Sequence, residues 1–338
     1  MPTTGSDTQP MSTPYHNLAH KPRIRLERRF AITALERFGF PLTPLRLLTL
    51  SHSARFRVVA EQSYLLRLQS PTWHPFAVLA SELTWLMTLR QRTALHVPEP
   101  LRAPDGQVLV ELTLPDTTQT RYASIFPWIA GRQKYQRLTH TDSFRIGVVL
   151  GVLHHAAQHF TPPPDFVRYA YHTDIFTHLP AVLEIHAPNF LTPASIAHCQ
   201  AAVHYIQAYL ATLARDTASY GLIHADTNLS NFLHHPAYVA ILDFEVCCFG
   251  YYLYDVARTV NELLRRDTSG GLANSFAAGY RTIQVLPAID AEPIRVFRVV
   301  NLLETVRWLI TTPPAYAVPD VTERLDTTIA DMSTLVRT

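Results

Sequence analysis

The first part of the chain changes from helical to strand-like patterning and back, which predicts a small sheet with helices packed on it. Apolar residues recur at helical spacing over 26–38 and again over 76–89. Between 45 and 68, apolar and polar positions alternate, which is the period of strands with one buried face. The ranges 108–112 and 121–126 have the same strand-like character. The N-terminal part is therefore predicted to be rich in β-structure.

Helical periodicity dominates beyond the Ala130-Gly131 pair. The predicted helices there cover 143–159, 175–185, 193–214, 254–265, 272–280, 293–310 and 321–335. A short β-rich stretch over 222–244 interrupts them. The pattern predicts an α+β protein of two lobes. We assign 1–21 to a flexible tail, 22–129 to a β-sheet N-lobe, and 130–338 to a larger, mostly helical C-lobe.

Composition and charge restrict the possible classes of protein. The chain has 338 residues, of which 47% are hydrophobic, which favours a folded globule over extended disorder. Its formal net charge of +2 is too small to indicate a nucleic-acid partner. No apolar run is as long as the roughly 20 residues of a membrane helix. The 3 cysteines show no zinc or disulfide spacing. We expect a cytoplasmic protein with neither nucleic-acid nor membrane partners.

The segment 221–257 carries the pattern that indicates chemistry. It reads GLIHADTNLSNFLHHPAYVAILDFEVCCFGYYLYDVA. Asp226 and Asn231 lie on one loop, and Asp243 ends an apolar stretch that follows a turn at His235-Pro236. A hairpin around that turn would bring Asp243 beside Asn231, where a carboxylate and an amide could hold Mg²⁺. Phosphoryl transfer needs such metal ligands and a carboxylate at the acceptor hydroxyl. The alternative is a buried polar hairpin without chemistry.

These residues resemble the aminoglycoside phosphotransferase superfamily, which also includes homoserine kinases of the protein-kinase-like type and choline kinases. The resemblance is carried by His224-Ala225-Asp226-x4-Asn231, by Ile241-Leu242-Asp243-Phe244-Glu245 and by Gly250-x4-Asp255-Val-Ala. It implies a two-lobed protein-kinase-like fold with a five-stranded antiparallel sheet. By the same resemblance Asp226 is the catalytic base, Asn231 and Asp243 are metal ligands, and ATP and Mg²⁺ are the cofactors.

The resemblance also extends, with less specific motifs, into the N-lobe. Arg67 is similar to the cation that contacts the nucleotide phosphates, and Glu82 to the glutamate that pairs with it. Phe126 and Trp128 lie in a segment similar to the hinge whose backbone meets adenine. Ser53 lies in the stretch 50–56, similar to the phosphate-covering loop.

Three positions depart from the family pattern. Ala225 stands where the family usually has glycine, and position 67 is arginine where protein kinases have lysine. Arginine is common there in the homoserine-kinase-like members, and its guanidinium can still bind phosphate oxygens. The stretch 50–56 contains no glycine, and Ser53 stands where asparagine is frequent.

Several alternatives accompany these assignments. The chain could be a catalytically silent pseudokinase that binds nucleotide only, and Arg67 with Glu82 could be an ordinary surface ion pair. His155 and His159 have a zinc-compatible spacing, but solvent-facing histidines are favoured. Further assignments are that Cys247-Cys248 is apolar filler rather than a redox pair, that His224 is structural, and that Asp255 stabilises the catalytic loop.

The acceptor is expected to be a small molecule with a hydroxyl group: an amino alcohol, a homoserine-like compound, a sugar or an antibiotic. Candidates for the acceptor pocket are Asp255, Glu262, Glu304 and Arg307. Because the C-lobe is not markedly acidic, smaller acceptors are favoured over polycationic aminoglycosides. The sequence leaves the oligomeric state open.

Overall fold

The computed structural model describes residues 20–51, 53–134, 137–312 and 320–336, without the side chains of 172–178. Its contacts divide the chain into two compact units. The first contains Met1–Leu83 and Glu99–Trp128, and the second contains Thr84–Pro98 and Ile129–Thr338. Within the described ranges, no helix combines the length and apolar character that a bilayer crossing requires.

The first unit is a five-stranded antiparallel sheet in the order β1-β2-β3-β5-β4, together with two helices. The strands are β1 (Leu45–Leu50), β2 (Ser53–Val59), β3 (Ser63–Gln69), β4 (Val110–Thr113) and β5 (Thr120–Pro127). The helices are α1 (His20–Arg37) and α2 (Phe76–Arg92). Helix α2 belongs to this unit as far as Leu83. The apolar face of α1 packs on the sheet, where Phe30, Ala34 and Leu35 share a buried cluster with Phe56 and Ile125.

A buried ion pair connects α1 to β5. The guanidinium of Arg121 donates to Glu27 from Nε and Nη2, at 2.9 and 2.7 Å, and both side chains are 2% exposed. The third nitrogen donates to the Thr120 carbonyl, so every nitrogen of this arginine is satisfied. Such saturation is what burial of a charge requires.

The second unit is mainly helical and contains two small sheets. Its helices are α3 (His140–Gln158), α4 (Tyr171–His186), α5 (Pro193–Leu210), α6 (Tyr252–Arg266), α7 (Gly271–Arg281), α8 (Glu292–Thr311) and α9 (Val321–Val336), and its strands are β6 (Tyr220–Ile223), β7 (Phe232–His234), β8 (Val239–Ile241) and β9 (Cys248–Tyr251). β6 pairs with β9 and β7 with β8, both antiparallel. Helices α3 and α7 touch through their backbones, because a Cβ at Gly147 or Gly279 would overlap a carbonyl of the other helix.

The α+β class and the five-stranded antiparallel sheet are confirmed. The predicted tail lies outside the described residues except for His20 and Lys21, which are helical and begin α1. The stretch 50–56, similar to the phosphate-covering loop, contains the end of β1 and the start of β2, and Ser53 is buried and paired with Gln69. Strand β9 was not predicted, because its apolar residues directly precede a helix of similar composition.

Candidate active site

The β7–β8 hairpin determines where Asn231 and Asp243 lie. Phe232 pairs with Ile241, and the next hydrogen bond joins the Leu242 N–H to the Asn231 carbonyl at 2.9 Å. The two candidate metal ligands therefore leave the hairpin at the same end, as the sequence predicts. Asp243 has a φ of 65°, a left-handed conformation that is rare for residues other than glycine. Such backbone outliers cluster at functional sites.

The loop after β6 is held from inside by His224. The Nε2 of this buried ring lies 2.8 Å from the Leu242 carbonyl, and its Nδ1 accepts the Asp226 N–H at 3.2 Å. The two bonds together require Nε2 to carry the proton. His224 thus ties the loop that carries Asp226 to the strand that leads into Asp243, which is the structural role predicted for it.

Asp255, near the start of α6, holds the backbone of the same loop. Its carboxylate accepts the N–H groups of His224 and Ala225 at 2.7 and 2.8 Å, and it lies 3.2 Å from Nε2 of His154. The Asp255 carbonyl also accepts the Thr227 hydroxyl at 2.7 Å. Asp255 is 0% exposed. This confirms the loop-stabilising interpretation and removes Asp255 from the candidates for acceptor binding.

The Asp226 carboxylate accepts hydrogen bonds from three side chains. Oδ1 accepts from Arg258 at 2.8 Å and from Asn228 at 2.6 Å, and Oδ2 accepts from the Asn231 amide at 3.0 Å. The side chain of Asp226 is 29% exposed, so an acceptor molecule can approach it. Asp226 and Asn231 are thus brought together as predicted.

Arg258 was missed by the sequence reasoning. It lies three residues after Asp255 on α6, and that i,i+3 spacing toward a residue of the loop is the signal that could have found it. Burial by itself would lower the pKa of Arg258, but Tyr254 and the Asp226 carboxylate raise it well above its usual range. Arg258 is therefore a permanent cation beside the candidate base.

The oxygen chemistry of the predicted metal site suits a hard divalent cation. The Asn231 amide nitrogen is used by Asp226, which leaves its amide oxygen as the atom that could bind a cation. Asp243 supplies a carboxylate from the neighbouring strand end. Among the described residues, no group of three or more His, Cys, Asp or Glu could hold a metal ion. The predicted site is of another kind, the Asp243 carboxylate and the Asn231 carboxamide, and fits Mg²⁺ by its oxygen donors.

In the first unit, Arg67 and Glu82 form a bidentate pair, with Nη1 and Nη2 at 2.7 and 3.1 Å from the two carboxylate oxygens. Their side chains are 6% and 1% exposed, which rules out the surface ion pair that the sequence left open. The Arg67 guanidinium also lies over the Phe126 ring, 5.3 Å from its centroid.

The side chain of Trp128, in the predicted hinge, is 41% exposed. The backbone N–H of Trp128 donates to the Ser63 carbonyl. That donor is therefore used within the sheet.

Glu304 and Arg307 on α8 bind each other. Both oxygens of Glu304 accept from Arg307, at 2.8 to 3.1 Å, and Glu304 is buried. Burial and the Glu304 carboxylate together raise the pKa of Tyr171 well above its usual range. The ring centroids of Tyr171 and Tyr254 are 4.1 Å apart. The Glu304 charge is thus neutralised inside the protein. Glu262 pairs with Arg266 on the surface.

The remaining candidates have structural roles. His155 and His159 are both exposed, and Nδ1 of His159 lies 2.8 Å from the His155 carbonyl, as expected for solvent-facing residues. Cys247 and Cys248 are buried, reduced residues, and burial raises the pKa of the Cys248 thiol. Both cysteines act as apolar filler.

Comparison with solved structures places this fold among kinases. A microcompartment-associated aminopropanol kinase matches with a TM-score of 0.75 and 25% identity, over 91% of this chain and 95% of that one. The amicoumacin kinase hAmiN, solved with AMP-PNP, Ca²⁺ and Ami, also has a TM-score of 0.75, at 16% identity over 94% and 96% of the two chains. Spectinomycin phosphotransferase APH(9)-Ia, with ADP and spectinomycin, has a TM-score of 0.62 at 13% identity, over 91% and 96%. At these low identities, the likeness to the amicoumacin kinase and to the spectinomycin phosphotransferase shows a shared fold and nothing more.

Sequence comparison identifies the family. The uncharacterized protein sll1119 of Synechocystis sp. (strain ATCC 27184 / PCC 6803 / Kazusa) is 26% identical over 239 residues, which are 69% of this chain. The match spans 63% of that relative, less than two thirds of its length. The model of the "Phosphotransferase enzyme family" matches residues 46–291, well over half of the chain. The chain therefore belongs to the phosphotransferase enzyme family.

Proposed function

We propose that this chain is a small-molecule kinase that transfers the γ-phosphoryl group of ATP to a hydroxyl group, with Mg²⁺ as the metal. The observation that carries this proposal is the connection of Asp226, Asn231 and Asp243 through one hairpin and its hydrogen bonds. Family membership and the fold shared with kinases support it. The amicoumacin kinase complex, with AMP-PNP and Ca²⁺, supports the use of a nucleotide and a divalent cation.

Each residue of the constellation has a distinct task in this proposal. Asp226 orients the acceptor hydroxyl and takes its proton as the new bond to phosphorus forms. Asn231 and Asp243 would hold the metal through their side-chain oxygens. Bound Mg²⁺ neutralises charge on the phosphate oxygens. Most of the rate enhancement would come from positioning and charge neutralisation. Arg67, held by Glu82, would bind phosphate oxygens.

The acceptor we propose is small and at most singly cationic. Because Arg307 already neutralises Glu304, and Arg258 neutralises Asp226, the described residues around the base offer no surplus of negative charge for a polycation. Amino alcohols are the first class to test, since the aminopropanol kinase is 25% identical to this chain. Homoserine-like compounds and sugars follow.

A screen of ATP consumption across these hydroxyl compounds tests the proposal, with nucleotide binding measured by titration calorimetry with and without Mg²⁺. Replacing Asp243 by alanine should abolish turnover. Asp226→Ala should lower kcat by about 10²- to 10⁴-fold and leave ATP binding largely intact. Asp331→Ala, which removes an exposed carboxylate from α9, is the matched control and should behave as wild type.

Two results would count against the proposal in different ways. Absence of ATP binding even with excess metal would refute the nucleotide site altogether. Metal-dependent binding with no turnover on any acceptor or on water would favour the alternative, a catalytically silent nucleotide-binding protein. Full activity of Asp226→Ala would show that its assigned role is wrong.

A further inference from the structure

We propose that Arg258 is the positioning residue of the catalytic carboxylate, an inference that rests on the kinase function proposed above. Its Nη2 donates to Asp226 Oδ1 at 2.8 Å, although the two residues are 32 positions apart in the sequence. The pair is partly accessible, with 22% of the arginine side chain and 29% of the aspartate side chain exposed. Arg258 therefore contacts the carboxylate to which the proposed function assigns the acceptor proton.

The hydrogen bonds divide the two oxygens of Asp226 into different roles. Oδ1 accepts from Arg258 and from Asn228, so both of its lone pairs are used. Oδ2 accepts only from Asn231 among the described residues, so one lone pair stays available. That oxygen is the one that would take the acceptor proton. Removing Arg258 frees a lone pair on Oδ1, and the carboxylate can then turn and present either oxygen.

Helix α6 fixes the base and its loop together. Asp255 and Arg258 are three residues apart, so their side chains project from the same side of the helix. Asp255 binds the loop backbone at His224 and Ala225, while Arg258 binds the side chain of Asp226. A site supported from a rigid helix is held more accurately than one supported by its own loop. One helix thus sets both the loop and the carboxylate that it carries.

The donor pattern of Arg258 differs from that of a purely structural arginine. All three nitrogens of buried Arg121 donate to protein acceptors. In the described part of the chain, Nε of Arg258 is enclosed and has no hydrogen-bond partner. Buried donors are nearly always satisfied, and exceptions call for a functional explanation. Arg258 thus keeps its Nη2 contact with Asp226 although its Nε stays unsatisfied, which favours a role at that carboxylate over a purely structural one.

The test compares Arg258→Met with Arg265→Met in the full chain, using whichever acceptor the screen identifies. Arg265 is the matched control because it lies on the same helix and, in the described part of the chain, forms an exposed ion pair with Asp331. We expect Arg258→Met to lower kcat about 100-fold while the KM for ATP changes by less than about twofold. Arg265→Met should keep the wild-type kcat. Arg258→Lys should recover about tenfold, since it restores the charge but not the planar donor group.

Rates are divided by the concentration of sites that bind Mg²⁺-ATP, so that a loss of folded protein does not lower them. Equal kcat for Arg258→Met and wild type on this scale would overturn the inference. If Arg258→Met does not fold, Arg258→Lys and Asn228→Ala decide, because both weaken the hold on Oδ1 and both must lower kcat. An inactive wild type would instead contradict the proposed function.

Discussion

Substituting Asp255 measures how much its carboxylate stabilises the loop that carries Asp226. It is 0% exposed and accepts the N–H groups of His224 and Ala225 at 2.7 and 2.8 Å, with His154 Nε2 at 3.2 Å. In Asp255→Asn the shape is kept, but one acceptor oxygen becomes an NH₂ donor. At least one loop N–H then faces another N–H group instead of an oxygen.

The free-energy cost follows from which oxygen is replaced. The arrangement with the smaller loss puts the NH₂ group where Oδ1 was, because the Ala225 N–H is the one donor to that oxygen among the described residues. An orphaned buried donor costs about 1–3 kcal/mol. The bonds that Oδ2 keeps lose their charge assistance, which costs about 1 kcal/mol more. Relief of the buried charge offsets part of this sum. We expect Asp255→Asn to lower the free energy of unfolding by about 3 kcal/mol.

Urea unfolding without nucleotide measures this difference, and Asp331→Asn is the control. Asp331 also binds a partner on α6, but its pair with Arg265 is exposed, at 41% and 38% of the two side chains. Pairs of that kind contribute about 0–1 kcal/mol. If Asp255→Asn costs no more than Asp331→Asn, the loop is not held by this carboxylate and the reasoning fails.

Two further substitutions test conformation and charge. Ala225→Gly should raise the free energy of unfolding, measured in urea, by about 1 kcal/mol, because Ala225 has a φ of 65°, which glycine adopts without strain. A decrease in this free energy would contradict the prediction. Glu82→Gln should cost about 2–4 kcal/mol and raise the KM for ATP, because it leaves the buried Arg67 guanidinium without its counter-charge. An unchanged stability would show that the pair contributes nothing, and Asp331→Asn is again the control.

Local sequence patterns were sufficient for the metal-site hairpin. Two apolar runs around His235-Pro236 pair directly, and their register places Asn231 and Asp243 at one end. The β3–β5 pair, which joins distant residues such as Tyr64 and Pro127, follows only from the family resemblance. The β1–β2, β2–β3 and β4–β5 pairs were predicted for the same reason as the hairpin, since each joins consecutive strands. Contacts of this kind depend on residues that are close in the sequence.

Features that depend on how distant elements pack were not predictable. The i,i+3 spacing from Asp255 places Arg258 on the same side of α6, but which residue of the loop it reaches depends on how α6 packs along that loop. The resemblance of 50–56 to the phosphate-covering loop did not indicate that Ser53 already belongs to β2, where its backbone continues the ladder with β3. The buried pair of Glu27 and Arg121 joins elements 94 residues apart.

The hydrogen bonds of Asp255 and His224 stabilise the strained backbone of the loop that carries Asp226. Ala225 and Asp243 both have a φ of 65°, a conformation that costs about 1–3 kcal/mol for each residue. The Asp255 carboxylate accepts one charge-assisted bond from the Ala225 N–H and one from the N–H of the preceding residue, His224, whose ring also links the loop to the Leu242 carbonyl, next to Asp243. Each such bond contributes about 1.5–3 kcal/mol, which is enough to offset the strain. Without the Asp255 carboxylate, the backbone at Ala225 should therefore leave its left-handed conformation first. Asp226, the next residue, would then lose its orientation, and the loop would be less stable.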